Sequence, residues 1–227
     1  MKREGFIHLV GIGGDGMLAI AQYLADQGKR FSGSDLRSSA ELSSLAAKGI
    51  DVFDEHRAAN VSNAELLVLS DAVPLSSPEV IEARIRDVPI MRRAEYIEHL
   101  TRDRQRIYVA GSHGKTSTSA MIATVLQHAG RSPGFILGAS VPCLGNRRGR
   151  ASSAGPTVIE ACEAFNNLAT LQPDHAVLTN VDNDHLEHYG SQEWLDKAFR
   201  KFLGRASNVP IVNGDDSGVR RILAHEG

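Results

Sequence analysis

The sequence predicts an α/β fold built as two successive units, each a parallel sheet with helices on both faces. Three observations predict it. Short apolar runs of strand length alternate with segments whose apolar residues recur at helical spacing. The alternation breaks once, at the polar stretch TRDRQR over 101–106, and then restarts. Two of the strand-like runs end in glycine-rich turns that lead straight into a helical pattern, the arrangement found where parallel sheets bind ligands.

FIHLVGIGG at 6–14 reads as a strand and tight turn, and MLAIAQYLADQGK at 17–29 as a helix that stops at Gly28. RFSGSD at 30–35 gives a second strand, and AELSSLAAKGI at 40–50 a second helix with its stop at Gly49. AELLVLSDAVP at 64–74 supplies a third strand, and SPEVIEARIRD at 77–87 a helix opened by Ser77 and Pro78. VPIMRRAEYIEHL at 88–100 completes the first unit with a strand and a helix. After the linker at 101–106, IYVAG is a strand and STSAMIATVLQHAG at 117–130 a helix ending at Gly130. PTVIEA at 156–161 and HAVLTNV at 175–181 are buried strands, SQEWLDKAFRKFLG at 191–204 is a helix, and VPIVNGDD at 209–216 is a strand with an acidic turn. GNRRGRASSAG at 145–155 reads as a mobile loop.

Composition narrows the function classes. The 227 residues carry 42% hydrophobic and 23% charged residues with a formal net charge of -2, so no basic surface calls for nucleic acid or an anionic membrane. No apolar stretch is long enough to span a bilayer and none has the form of a signal peptide, so a cytoplasmic address is the expectation. The two cysteines, Cys143 and Cys162, lack C-x-x-C spacing and encode neither a disulfide framework nor a thiolate zinc site; both are expected to be small, partly buried residues.

Gly11, Gly13 and Gly16 form G-x-G-x-x-G between a strand and a helix, with Asp35 about twenty residues on. This is a Rossmann-like turn, in which glycines let backbone approach a pyrophosphate on the helix N-terminus and the acid reaches a ribose hydroxyl. Any nucleoside diphosphate satisfies it, NAD or a UDP-sugar alike, and three glycines serving chain geometry alone are the bland alternative.

The second turn reads VAGSHGKTSTSAM over 109–121. Its Gly-Lys-Thr between strand and helix suits a triphosphate: backbone N-H groups and the helix dipole hold oxygens, Lys115 neutralises outer phosphates, and Thr116 can reach a magnesium ion. The spacing is shorter than the usual P-loop, because Val109 stands where the first glycine belongs. Downstream, VIEACE puts Glu160 at a strand end, where a charge needs a partner or a metal. LTNVDNDHLEHYG puts Asn180, Asp182, Asp184 and His185 past the next strand. Three strand ends are therefore expected to converge on magnesium-assisted phosphoryl transfer. His113 is either a phosphate donor or loop filler. Glu163 reads as a solvated neighbour, Asp215 and Asp216 as a turn, and His8, His99, His128 and His225 as incidental, without a partner cluster.

HLVGIGGDGM, SGSD, EHRAAN, RRAEY, VAGSHGKTSTSAMIATVL, EACE and TNVDNDHLEHYG, in this order, resemble the Mur ligase family, and within it the branch that joins UDP-N-acetylmuramate to L-alanine. The shortened loop is similar to that family's ATP loop. The resemblance implies an N-terminal Rossmann-like UDP-sugar domain at 1–100, the linker at 101–106, and an incomplete P-loop-type α/β ATPase domain at 107–227, with a C-terminal domain absent and activity of the chain alone weak or nil. It implies ATP and Mg2+ as cofactors, UDP-N-acetylmuramate and L-alanine as substrates, and an acyl phosphate formed on the sugar's carboxylate. Carried over by position, Gly11, Gly13, Gly14, Gly16, Met17, Asp35, His56 and Ser70 hold the UDP-sugar. Gly111, Ser112, His113, Gly114, Lys115, Thr116 and Ser117 hold ATP. Lys115, Glu160 and His185 are catalytic, and Thr116, Glu160 and His185 bind metal. Glu187 stands where the family pattern has aspartate. A recycling ligase that attaches a tripeptide to the same sugar, a UDP-sugar-binding module without turnover, and an NAD-dependent oxidoreductase are the competing readings; a second triphosphate loop argues against the last.

Overall fold

Two sheets stand side by side, joined by helices that pack against both. The computed structural model describes residues 6–162, 167–168, 170–182 and 190–224. The first sheet holds β1 (Ile7–Val10), β2 (Phe31–Ser34), β3 (Asp51–Phe53), β4 (Leu66–Leu69) and β5 (Ile90–Arg92) in the order β3-β2-β1-β4-β5, all parallel. The second holds β6 (Arg106–Ala110), β7 (Gly134–Val141), β8 (Arg147–Arg150), β9 (Thr157–Glu160), β10 (His175–Leu178) and β11 (Ile211–Val212) in the order β11-β10-β6-β9-β7-β8. Its strands are parallel except β8, which runs antiparallel to β7. In each sheet the strand order reverses beside the first strand, β1 or β6, and that reversal opens the crevice where such sheets bind ligands.

The helices are α1 (Asp15–Asp26), α2 (Ala40–Ala47), α3 (Pro78–Ile85), α4 (Arg93–Thr101), α5 (Lys115–His128), α6 (Gln192–Gly204) and α7 (Ser217–Leu223). Their starts follow local chemistry. Ser39 caps α2 by accepting from Leu42 N at 3.2 Å, Pro78 opens α3, and Ser191 accepts from Trp194 N at 3.4 Å to cap α6. Among the described residues no helix is long and apolar enough to cross a membrane.

Several sequence expectations need correction. The stretch 145–155 is not a mobile loop throughout: β8 lies inside it. RRGR has no apolar residue, so its strand state comes from neighbours, with Arg150 stacked 4.9 Å over the Phe135 ring. β3 and β7 are strands without a sequence expectation, and α5 starts at Lys115 and ends at His128, two residues ahead of the 117–130 pattern. Asp216 is a cap rather than a simple turn residue: its carboxylate accepts from Val219 N at 2.8 Å and from Val181 N at 3.1 Å. Cys143 is exposed, not partly buried.

Helix α1 joins the sheets. Its apolar side chains Met17, Leu18, Ile20 and Leu24 belong to one core with Leu9 and Val68 of the first sheet and Ile136 and Ile159 of the second. Its polar flank completes the edge strand: Gln22 Oε1 accepts from Arg148 N at 3.0 Å and Gly149 N at 2.9 Å, and Asp26 Oδ2 from Ala151 N at 3.1 Å. Edge N-H groups that would otherwise face solvent are thereby paired. The approach is close enough to exclude a side chain, because a Cβ on Gly149 would lie 1.9 Å from the Ala19 carbonyl oxygen.

His8 is also not incidental. It is fully buried with Ser32 Oγ 2.7 Å from Nδ1 and Glu79 Oε1 3.2 Å from Nε2. Glu79, itself fully buried, also contacts His56 Nδ1 at 2.7 Å and accepts from Asn60 Nδ2 at 2.8 Å. Burial pushes the Glu79 carboxyl up, but hydrogen bonds from His8, Ser34 and Asn60 outweigh it and hold the group below its ordinary value of 4.5. A carboxyl lowered on folding contributes stability that is present above its unfolded value and lost as pH falls through the folded one.

Two outcomes follow. Glu79→Gln lowers the free energy of unfolding by about 2 kcal/mol at pH 7, and in urea melts the gap from wild type narrows as pH drops below about 4.5. Gly149→Ala costs about 1 to 3 kcal/mol through the α1 contact, read as a lower urea midpoint.

Candidate active site

The site assembles where strand ends from both sheets face one another. After β6 the chain turns through Gly111, at φ 135, and Gly114, at φ 76, before α5 begins. Gly111 must be glycine on two counts: its backbone is left-handed, and a Cβ would lie 2.1 Å from Thr179 Oγ1. The loop is clamped to the segment after β10. Asn180 accepts from Ser112 N at 3.1 Å and from His113 N at 2.7 Å, while its amide and the Thr179 hydroxyl donate to the His113 carbonyl at 3.0 and 2.8 Å. Asp182 N donates to Ser112 Oγ at 2.8 Å. His113 Nε2 lies 3.3 Å from Asp182 Oδ2, both side chains well exposed.

Lys115 folds back over its own loop, donating to the carbonyls of Gly111 at 2.6 Å and Ser112 at 3.0 Å. Thr116 donates to Glu160 Oε2 at 2.8 Å, and the same oxygen accepts from Gly138 N at 2.7 Å. Glu160 thus stands at the end of β9 with a hydroxyl and a backbone amide on one oxygen. Ser117 is exposed in the first turn of α5. A hydroxyl beside a carboxylate is a hard oxygen pair of the kind magnesium selects, and Thr116 with Glu160 fits that ion. Among the described residues no group of three metal-ligating side chains stands together. His185, Asp184, Glu163 and Glu187 lie outside the described residues.

The first glycine turn faces the same space. Gly11 adopts φ 78 and a Cβ there would meet Ser70 Cβ at 2.8 Å, so β1 and β4 pinch together at the strand-order reversal. Gly14 leads into α1, whose N-terminus points into a cavity of about 330 Å³. Gly14, Gly16, Met17 and Ser70 from the first sheet and Lys115 and Glu160 from the second all line it. Asp35 is buried and spent on the turn itself: its carboxylate accepts from Gly13 N at 2.8 Å and Arg37 N at 2.9 Å. Neither Asp35 nor His56 lines the cavity. His56 sits at the sheet's C-terminal edge, with Nδ1 near Ser34 Oγ at 3.1 Å and Glu79.

Three contributors were invisible to motif reading. Gly138 supplies the amide on Glu160; its signal is only a glycine inside an apolar strand. Arg148 links the turns, pairing with Asp15 at 2.8 Å and donating to the Gly138 carbonyl at 3.1 Å. Arg93, present in the RRAEY motif but given no role there, lines the cavity with Asp71. A larger cavity, about 670 Å³, opens among Gln105, Pro156 and His175 at the N-terminal strand ends, the end of a parallel sheet that does not bind ligands.

The Mur ligase family catalytic domain matches residues 6–105 and the Mur ligase middle domain matches residues 109–226. The chain belongs to the Mur ligase family. Among Mur ligases it is similar to UDP-N-acetylmuramate--L-alanine ligase of Roseiflexus castenholzii, 40% identical over 220 residues, which is 96% of this chain and 46% of that protein. The corresponding ligase of Rhizobium etli is 41% identical over 210 residues, 92% of this chain and 44% of that one. The chain spans about half the length of the curated relatives it matches. Among solved structures it is similar to UDP-N-acetylmuramate-alanine ligase MurC of Thermotoga maritima, with a TM-score of 0.88 at 31% identity over 96% of this chain and 51% of that one. It is also similar to the UDP-N-acetylmuramate:L-alanyl-gamma-D-glutamyl-meso-diaminopimelate ligase of Neisseria meningitides, at TM-score 0.87 and 25% identity over 97% of this chain and 74% of that one.

The Mur ligase turn gives a direct test. Gly111→Ala adds a clash and a left-handed alanine, so its thermal midpoint falls by several degrees, equivalent to about 2 kcal/mol.

Proposed function

We propose that this chain supplies the substrate-binding half of an ATP-dependent ligase that joins the carboxylate of UDP-N-acetylmuramate to L-alanine in peptidoglycan precursor synthesis. The reading treats 1–100 as a UDP-sugar-binding domain, 101–106 as a linker and 107–227 as the P-loop-type ATP-binding domain, working in the cytoplasm. The observation that carries it is the shared cavity: Gly14 and Gly16 of the first glycine turn and, from the other sheet, Lys115 and Glu160 line one space.

In this reading Gly11, Gly13, Gly14, Gly16, Met17, Asp35, His56 and Ser70 seat the UDP-sugar. The loop from Gly111 through His113 and Gly114 to Ser117 seats ATP. A carboxylate oxygen of the sugar attacks the γ-phosphorus and ADP leaves; the amine of L-alanine then attacks the acyl carbon and inorganic phosphate leaves. Lys115 swings from its loop carbonyls to the transferring phosphoryl and offsets its charge. Thr116 and Glu160 would hold one magnesium ion and His185 a second, and when bound these would neutralise charge on the phosphate oxygens.

The likeness to the tripeptide ligase of Neisseria meningitides favours a second reading, in which a murein tripeptide replaces L-alanine on the same sugar. Both readings share the UDP-sugar and ATP sites. A fragment that holds UDP-sugar without turnover is the outcome if phosphate release is absent.

Calorimetry on the chain separates these. UDP-N-acetylmuramate and MgATP both bind to wild type; Lys115→Ala weakens MgATP by about 10- to 100-fold and leaves the UDP-sugar unchanged. Phosphate release that depends on L-alanine, rather than tripeptide, selects the first reading. Binding of NADH in place of the UDP-sugar contradicts the ligase.

A further inference from the structure

We propose that Arg93 is an anion-binding residue of the first glycine turn, its guanidinium holding the phosphate or carboxylate oxygens of the nucleoside-diphosphate sugar in the shared cavity. This rests on the proposed function of that site.

The position of Arg93 explains a glycine that a phosphate alone does not. Arg93 opens α4 directly after β5, so it stands at a C-terminal strand end. Its side chain crosses the first turn of α1: a Cβ on Gly16 would lie 2.8 Å from Arg93 Nη1, 3.1 Å from Cδ and 3.4 Å from Cζ. The third glycine of the fingerprint is small so that a guanidinium can lie over the helix start.

The charge distribution asks for an anion there. A helix N-terminus carries about half a positive charge, so bringing a cation against it is unfavourable by itself. Asp71 compensates only one edge of the fork, with Oδ2 accepting from Nε at 3.3 Å and Nη2 at 3.2 Å. Asn167 Nδ2 donates to the same Oδ2 at 3.2 Å and fixes the carboxylate. That leaves the Nη1 edge directed at the turn, on a side chain 17% exposed, in a cavity lined also by Lys115 and by the carboxylates Asp15, Asp71 and Glu160, none of which takes Nη1 in a hydrogen bond among the described residues. Arginine suits this place because its planar fork matches two oxygens of a phosphate or carboxylate, and one carboxylate can orient it while another face binds. The competing account is mechanical: Arg93 only ties α4 to the segment after β4 through Asp71.

The two sources of anion are separable, since the diphosphate is present in UDP and the carboxylate only in the sugar. Calorimetry on the full chain compares UDP-N-acetylmuramate, UDP and MgATP in wild type, Arg93→Ala and Arg93→Lys. Arg93→Ala weakens UDP-N-acetylmuramate at least about tenfold and MgATP less than about twofold. UDP weakened in parallel identifies the diphosphate as the partner; UDP unchanged identifies the carboxylate. Arg93→Lys keeps the charge and the Asp71 pair but not the fork, recovers only part of the loss, and carries the test if the alanine variant does not fold. Variants that bind UDP-N-acetylmuramate as wild type does, or that lose MgATP equally, overturn the inference while the proposed function stands. Wild type that binds no UDP-N-acetylmuramate overturns both.

Discussion

Helix α1 packs its apolar side into a core common to both sheets, while its N-terminus ends at the glycine turn and its flank caps the edge strand β8. Those three duties cannot be varied separately. The contact of Gly149 with the Ala19 carbonyl sets how near β8 can come, and the Gln22 amide oxygen sets where its N-H groups point. Because β7 pairs with β8 and carries Gly138, the same contact sets where the Glu160 carboxylate is held. The distance between the first and second glycine turns is therefore a property of helix packing, and neither turn fixes it alone.

Four of the glycines in the two turns answer a named neighbour, whereas Gly114 has open space and is glycine for its left-handed backbone at φ 76. Gly11 yields to Ser70, Gly13 to the Asp35 carboxylate, Gly16 to Arg93 and Gly111 to Thr179. The turns are shaped from behind by protein groups, and this preorganisation reduces the ordering cost of binding. Arg148 adds an electrostatic link, pairing with Asp15 at the start of α1 and donating to the Gly138 carbonyl beside Glu160.

Much of this was legible in the sequence where one residue type answers one physical need. Apolar runs ending in glycine located β1 and β6, and the Lys115-Thr116 pair with Glu160 on a later strand foretold a meeting that the 2.8 Å Thr116–Glu160 contact realises. What escaped depends on partners far along the chain. β8 has no apolar residue and is a strand because β7 pairs with it and α1 covers it. His8 looked incidental because its partners, Ser32 and Glu79, lie 24 and 71 residues away. Asp35 followed the fingerprint's spacing, yet its carboxylate braces Gly13 and Arg37, a use that spacing cannot distinguish from a ribose contact.

The central claim is that a UDP-sugar and a nucleoside triphosphate occupy one cavity bounded by both sheets. A crystal structure of the chain with UDP-N-acetylmuramate and a non-hydrolysable ATP analogue tests it most directly. The account predicts the sugar's carboxylate between the first glycine turn and Lys115, with an oxygen about 3 to 3.5 Å from the γ-phosphorus. Ligands seated in separate depressions, with the carboxylate turned away from Lys115 and Glu160, would contradict it.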